Sequence, residues 1–220
     1  MPEMPRLIIV DDHPLFRNAA AGVLESQFGQ CQIVQAGSFA DLEEWLISDK
    51  GFDLILLDIN LPDMTGLFGL LLLRAVYPEI PVAIVSAIDD PRLIRRAIDC
   101  GASGFIPKTQ SVTSLREAVQ HIIEGAIWVP DTSDHLFDQQ ATEEDLAKRF
   151  TLLTAQQLRV LGLLCQGQLN RQMGDTLGIT EATTKAHVSE ILSKLGAHSR
   201  TQAVVFANKL NRGQAERLAV

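Results

Sequence analysis

Short apolar runs alternate with longer amphipathic stretches through the first 130 residues. The runs occupy 7–10, 31–36, 54–57, 82–85 and 104–106. They are rich in Ile, Val and Leu and lack polar alternation, as strands buried on both faces of a parallel sheet do. Between them, 14–28, 39–48, 67–77, 91–100 and 112–124 read as helices, with Pro14 and Pro91 suited to first turns and Gly101 to a helix stop. Five such repeats predict an α/β fold, a doubly wound five-stranded parallel sheet with right-handed crossovers. The segment 131–149 breaks the pattern. It is polar and acidic and reads as a linker with a helical turn or two near its end.

From Thr151 onward no strand-like run occurs, and the reading is all-α with four helices. Thr154 and Gln157 have capping-box spacing and open a helix to about Gln166, which Gly167 ends. Asn170 is placed to cap a short helix to about Leu177, with Gly178 as the turn. A third helix runs from Glu181 to Leu195 and stops at Gly196. Ser199 and Gln202 repeat the capping-box spacing ahead of a last helix to about Leu210. The expected units are therefore 1–130, a linker 131–149, and 150–220.

Charge sharpens this division. The net charge of −8 hides 11 basic against 23 acidic side chains in 1–149, a net of −12, and 8 against 4 in 150–220, a net of +4. An acidic front and a basic back point to different partners, nucleic acid being the candidate for the basic end. The longest apolar run, 67–73, is far short of the roughly 20 residues a membrane span needs. The N-terminal apolar stretch of four residues is too short for a secretory signal, so the expected location is the cytoplasm. Cys31, Cys100 and Cys165 lack metal-ligand spacing and read as isolated buried thiols.

Several polar residues fall at the C-terminal ends of the predicted strands, where open α/β sheets bind ligands. Asp11 and Asp12 follow Val10, Asp58 follows Leu57, Ser86 follows Val85, and Lys108 comes just after Ile106. Crowded carboxylates repel unless a hard cation is present, and magnesium takes oxygen ligands from few carboxylates. A lysine and a hydroxyl opposite the cation would hold the oxygens of a transferred phosphoryl group, and a carboxylate can itself be the nucleophile. Each residue also has a plainer role: Asp12 as a helix cap, Asp58 in a turn, Ser86 bonded to nearby backbone, Lys108 as a solvated charge. Their joint arrangement favours the site.

With IIVDDHPLFR, LILLDINLPDMTG, AIVSA and GASGFIPK in hand, residues 6–125 resemble the receiver domain of bacterial response regulators, a flavodoxin-like fold, and specifically the NarL/FixJ subfamily. Ser86 and Lys108 lie 28 and 50 residues after Asp58, and Pro62 and Gly66 lie 4 and 8 after it. The resemblance implies that Asp58 accepts a phosphoryl group from a histidine kinase. Asp12, Asp58 and the backbone carbonyl of Asn60 would hold Mg2+ with help from Asp11. Ser86 and Lys108 would take the phosphoryl oxygens, and Phe105 would be the switch aromatic that turns inward as Ser86 moves. Two departures, Thr109 after Lys108 and Thr65 in the loop, remove no group the site needs.

In the back half, Thr184, Val188, Ile191 and Leu195 form one stripe of the third helix, and Ala182, Lys185, Ala186, Ser189 and Ser193 lie opposite. Fifteen residues make a helix about 22 Å long, which the DNA major groove admits. A short helix, a glycine turn and this helix form a helix-turn-helix arrangement; a small bundle with a solvated face fits the same periodicity. The segment from Leu152 to Ala207 resembles the LuxR-type helix-turn-helix over its whole length. By that resemblance Lys185, Ala186 and Ser189 face base edges. Thr183, Lys194, Arg200 and Asn170 contact or position phosphates, His187 serves either role or packs the helix, and the last helix dimerises. Gln157, Thr184 and Gly174 depart from the family's usual residues, and position 189 is Ser where some relatives carry a lysine. Few cations on the reading face imply modest non-specific affinity and dependence on dimerisation.

The resulting expectation is a two-domain transcriptional response regulator. Its partners would be a sensor histidine kinase, promoter DNA, a second copy when phosphorylated, and RNA polymerase, with no membrane. It would not be an enzyme beyond its own phosphotransfer and dephosphorylation. At rest the receiver would cover 185–193. One rival, a phosphohydrolase using Asp58, needs a second acid where Asn60 stands. The other is an intact but unused receiver. The apolar run 67–73 is either a well-covered helix or a contact surface for the second domain or a second copy.

Overall fold

Strand and helix boundaries follow the punctuation residues closely. The computed structural model describes residues 5–29, 31–49, 51–130 and 141–211, and side chains from Leu146 onward in the last stretch. The front unit runs β1 (Arg6–Val10), α1 (Pro14–Phe28), β2 (Gln32–Ala36), α2 (Phe39–Ser48), β3 (Leu54–Asp58), α3 (Phe68–Val76), β4 (Val82–Ser86), α4 (Pro91–Asp99), β5 (Gly104–Pro107) and α5 (Val112–Ile123). All strand pairs are parallel, in the order β2-β1-β3-β4-β5. The order reverses between β1 and β3, which is where such sheets open a ligand crevice.

Alternating side chains divide the core. Leu7, Ile9, Leu54, Leu56, Ala83, Val85 and Ile106 pack on Ala20, Leu24, Ala118, Val119 and Ile122 of α1 and α5. Ile8, Val10, Ile55, Leu57, Val82, Ile84 and Phe105 face α2, α3 and α4. This second layer does not stop at the receiver-like unit. It continues through Phe150, Leu158, Leu161, Ile191 and Leu210 of the C-terminal helices.

Those helices are α6 (Ala141–Thr151), α7 (Ala155–Cys165), α8 (Asn170–Leu177), α9 (Glu181–Leu195) and α10 (Arg200–Asn211). The segment 131–149, read as a linker with a turn or two of helix, carries most of α6, eleven residues long, with Ala147 and Phe150 fully buried. Helices α6 and α7 pack on α3, and α6 and α10 on α4. This settles the run 67–73. Leu70 to Leu73 are each at most 5% exposed, because α3 has the sheet on one side and α6 and α7 on the other. A helix apolar around its circumference is a helix covered all round. The Phe68 and Phe150 rings meet edge to face at 6.2 Å across this junction, and Arg159 pairs with Glu43 at 2.9 Å beside it.

The Thr154–Gln157 capping box forms in both directions, at 3.3 and 3.0 Å. Thr154→Ala is expected to cost about 1 kcal/mol, read as a lowered urea midpoint. The cap of α8 is Leu169 rather than Asn170. The Leu169 N–H is taken by Gln172 Oε1 at 2.7 Å, and Asn170 moves one place into the helix. Two departures from the family pattern prove coupled. A Cβ on Gly174 would lie 2.7 Å from the Ile179 carbonyl oxygen and 3.3 Å from Thr184 Oγ1. The buried Thr184 hydroxyl donates instead to the Thr180 carbonyl at 3.1 Å. Of the cysteines, Cys100 is buried and Cys31 and Cys165 half-buried, all free. Burial pushes the Cys100 thiol up to about 12 and that of Cys165 to about 11.

Among the described residues no helix is long and apolar enough to cross a membrane.

Candidate functional site

The ends of β1, β3, β4 and β5 bring Asp11, Asp58, Ser86 and Lys108 to one rim. The Lys108 ammonium lies 2.6 Å from Asp11 Oδ2 and 2.7 Å from Asp58 Oδ2, and both carboxylates are almost fully buried. Burial pulls the Lys108 ammonium down, but its hydrogen bonds to Asp11 and Asp58 and their charge outweigh this and hold it above the ordinary lysine value. Stability from a raised lysine is complete below its unfolded value and is lost only as pH climbs through the folded one. Lys108 therefore stays charged across neutral pH.

Asp12 is exposed, with its Oδ1 2.6 Å from His13 Nδ1. It does not cap α1, whose N-cap is His13 without a side-chain bond. Asn60 donates its backbone N–H to Asp58 Oδ1 at 3.2 Å. Ser86 is fully buried, and its Oγ accepts the Ile88 N–H at 3.0 Å, a bond to nearby backbone. Phe105 is fully buried. Its ring lies in the core with Ser86 bonded to its own loop.

Oxygen donors dominate the cluster. Ligand atoms of Asp11, Asp12, His13 and Asp58 all lie within 4.8 Å of one another. Asp11 Oδ2 is buried, and its partner is the Lys108 ammonium at 2.6 Å. A buried carboxylate oxygen of this kind suits a hard cation.

Three neighbours went unassigned in the sequence reading. His13 closes the acid cluster, the Phe16 ring lies 4.9 Å from Lys108 Nζ, and the Arg17 guanidinium donates to the Asp11 carbonyl. All three lie in DDHPLFR, at 3 and 4 spacing, and that helical periodicity was the available signal.

The helix-turn-helix presents α9 to solvent. Ala182, Lys185, Ala186, Ser189 and Ser193 are exposed, while Thr184, Val188, Ile191 and Leu195 are buried. The expectation that the receiver covers 185–193 is therefore overturned: it docks on α6, α7 and α10 instead. Lys185 pairs with Glu181 at 2.9 Å one turn back, and Thr183 Oγ1 lies 2.8 Å from Thr180 Oγ1 at the helix cap.

Other expected phosphate contacts are engaged within the domain. The Lys194 ammonium donates to the Leu152 carbonyl at 2.9 Å and to Gln157 Oε1 at 2.8 Å. Gln157 donates in turn to Glu190, a relay that needs an amide rather than the family's usual carboxylate. Arg200 donates to Asn170 Oδ1 and to the Gln168 carbonyl. His187 is half-buried, and its Nδ1 has no hydrogen-bond partner.

Comparison with known proteins agrees with this architecture. Residues 7–120 match the family described as response regulator receiver domain, and residues 151–207 that of bacterial regulatory proteins, luxR family. The chain is 38% identical over 219 residues to a glycerol metabolism activator of Pseudomonas putida, covering 94% of this chain and 97% of that one. It is 32% identical over 220 residues to the transcriptional regulatory protein DegU of Brevibacillus brevis, covering 93% of each. A crystal structure of a LuxR family DNA-binding response regulator from Silicibacter pomeroyi, 35% identical, superposes with a TM-score of 0.52 over 59% of this chain and 99% of that one. The chain belongs to the response regulators that join a receiver domain to a LuxR-type helix-turn-helix. Members of this family are transcriptional regulators rather than classical enzymes.

Proposed function

We propose that Asp58 is the phosphoacceptor of a regulator whose DNA binding follows its phosphorylation. What supports this above all is the Lys108 ammonium seated between two buried carboxylates at the switch point of the sheet. In the reaction an Asp58 carboxylate oxygen attacks phosphorus. The phosphorus–nitrogen bond of a kinase phosphohistidine breaks, and the imidazole leaves and takes a proton. Asp11, Asp12, Asp58 and the Asn60 carbonyl would hold Mg2+, which neutralises the charge built up on the phosphoryl oxygens. Lys108 transfers its contact from the carboxylates to a phosphoryl oxygen. Ser86 exchanges its bond to Ile88 for another. The only catalysis is the protein's own phosphotransfer and dephosphorylation.

The functional units on this reading are 1–130 as phosphoacceptor, 131–149 as connection, and 150–220 as DNA-binding unit, in the bacterial cytoplasm. Lys185, Ala186 and Ser189 meet base edges, and Thr183 and His187 lie along the same surface. Lys194, Arg200 and Asn170 brace the helices near the phosphates. Two copies joined through α10 read two half-sites about one helical turn apart, and RNA polymerase is the further partner at the promoter.

With Mg2+ and a small phosphodonor, intact-mass measurement should show one phosphoryl group on the wild type and none on Asp58→Asn. Genome-wide mapping should then show bound sites lost in Asp58→Asn. Equal phosphoryl uptake by both proteins, or identical occupancy, would refute the reading.

A further inference from the structure

We propose that the loop 59–67, between β3 and α3, is the lever that carries the state of Asp58 to the C-terminal helices. Its grip is the hydrogen bond from the Leu67 N–H to Asn211 Oδ1. The proposal rests on Asp58 being the phosphoacceptor.

One end of this loop touches the acid site, through the Asn60 N–H on Asp58 Oδ1 at 3.2 Å. The loop is closed on itself, with Asn60 bridged to Thr65, Leu61 N–H on the Met64 carbonyl at 3.1 Å, and Gly66 N–H on the Ile59 carbonyl at 2.6 Å. Asp63 accepts the Phe39 and Ala40 N–H groups at 2.9 Å each, which gives the loop a pivot on α2. A block cross-linked in this way moves as one piece.

The other end holds α10. Leu67 is the N-cap residue of α3 and has no side-chain cap. Its N–H is taken at 2.9 Å by Asn211, 144 residues away. Asn211 thus does for α3 what the third helical residue does in a capping box. The approach leaves no slack. Gly66 has φ +63°, and a Cβ there would lie 2.2 Å from Asn211 Cγ. Two residues earlier on α10, the Lys209 carbonyl accepts from the Arg96 guanidinium of α4. The receiver therefore holds the last turn of α10 at two points while leaving the exposed face of α9 bare.

Phosphorylation turns an already negative carboxylate into a larger acyl phosphate with three further oxygens, at a nearly buried residue to which the loop is tied. A shift of the block at Asn60 is delivered to Leu67. A hydrogen bond at ordinary length weakens steeply with misalignment. Losing it moves the docked equilibrium by about two- to twelvefold, and the freed end is that of α10.

The test is amide hydrogen exchange on the full chain, with and without Mg2+ and beryllofluoride, a stable stand-in for the phosphoryl group. Asn211→Leu should raise exchange of the Leu67 amide about two- to twelvefold without beryllofluoride. Asn211→Asp keeps an acceptor oxygen and should remain protected. Beryllofluoride should deprotect Leu67 and the end of α10 in the wild type and add little in Asn211→Leu. A wild type that binds beryllofluoride, seen by fluorine NMR, yet keeps Leu67 fully protected would overturn the lever alone. Unchanged protection in Asn211→Leu would do the same. No beryllofluoride bound at all would bring down both the lever and the phosphoacceptor reading.

Discussion

Lys108→Met should destabilise the protein by about 3–5 kcal/mol in the presence of a chelator. The lysine lies 2.6 and 2.7 Å from the Asp11 and Asp58 carboxylates, both 2% exposed or less. Methionine fills a similar volume but removes the positive charge, and two buried anions are left facing each other. Removing one partner of a buried ion group costs far more than the group's net worth, because the remaining charge has no compensation. Millimolar Mg2+ should restore much of the loss, since a divalent ion supplies the missing charge at the same oxygens. Urea denaturation of wild type and variant, each with chelator and with Mg2+, gives the four numbers needed. An Mg2+-independent loss would mean that the acids do not form a cation site.

Phe150→Ala should cost about 3–5 kcal/mol as well, for a different reason. The ring is fully buried and stands edge-on to Phe68 at 6.2 Å, with the planes 81° apart. It lies in the layer that runs unbroken from the sheet into the C-terminal helices. Its loss opens a cavity at the junction rather than inside either unit. Calorimetry should accordingly resolve two transitions in the variant where the wild type shows one. A variant that melts in one transition at the wild-type temperature would show that the two units are stable independently of each other.

Much of this architecture was legible in the chain. Prolines, glycines and capping residues placed the β-strands and helices to within about a residue, because each acts locally on backbone geometry. The acid rim was legible because parallel strands deliver their C-terminal residues to one edge. Three features were not. Helix α6 lies mostly in a polar, acidic segment, and among its described side chains the buried ones are Ala147 and Phe150. The docking of α3 on α6 and α7 left a trace, the leucine run, but a run of leucines does not name what covers it. The Leu67–Asn211 bond joins residues 144 apart and has no local signature. Lys194 and Arg200 show a further limit: a cation's type and position do not tell whether it points to a ligand or ties two helices together.

The bare outer face of α9 has a kinetic consequence. On the proposed reading, a resting chain already offers Lys185, Ala186 and Ser189 to any duplex it meets. Non-specific contact with DNA then precedes the signal, and phosphorylation governs the operator-specific pairing of two copies. The delay between stimulus and transcription is set by how fast two copies pair on an operator, not by the time needed to find it.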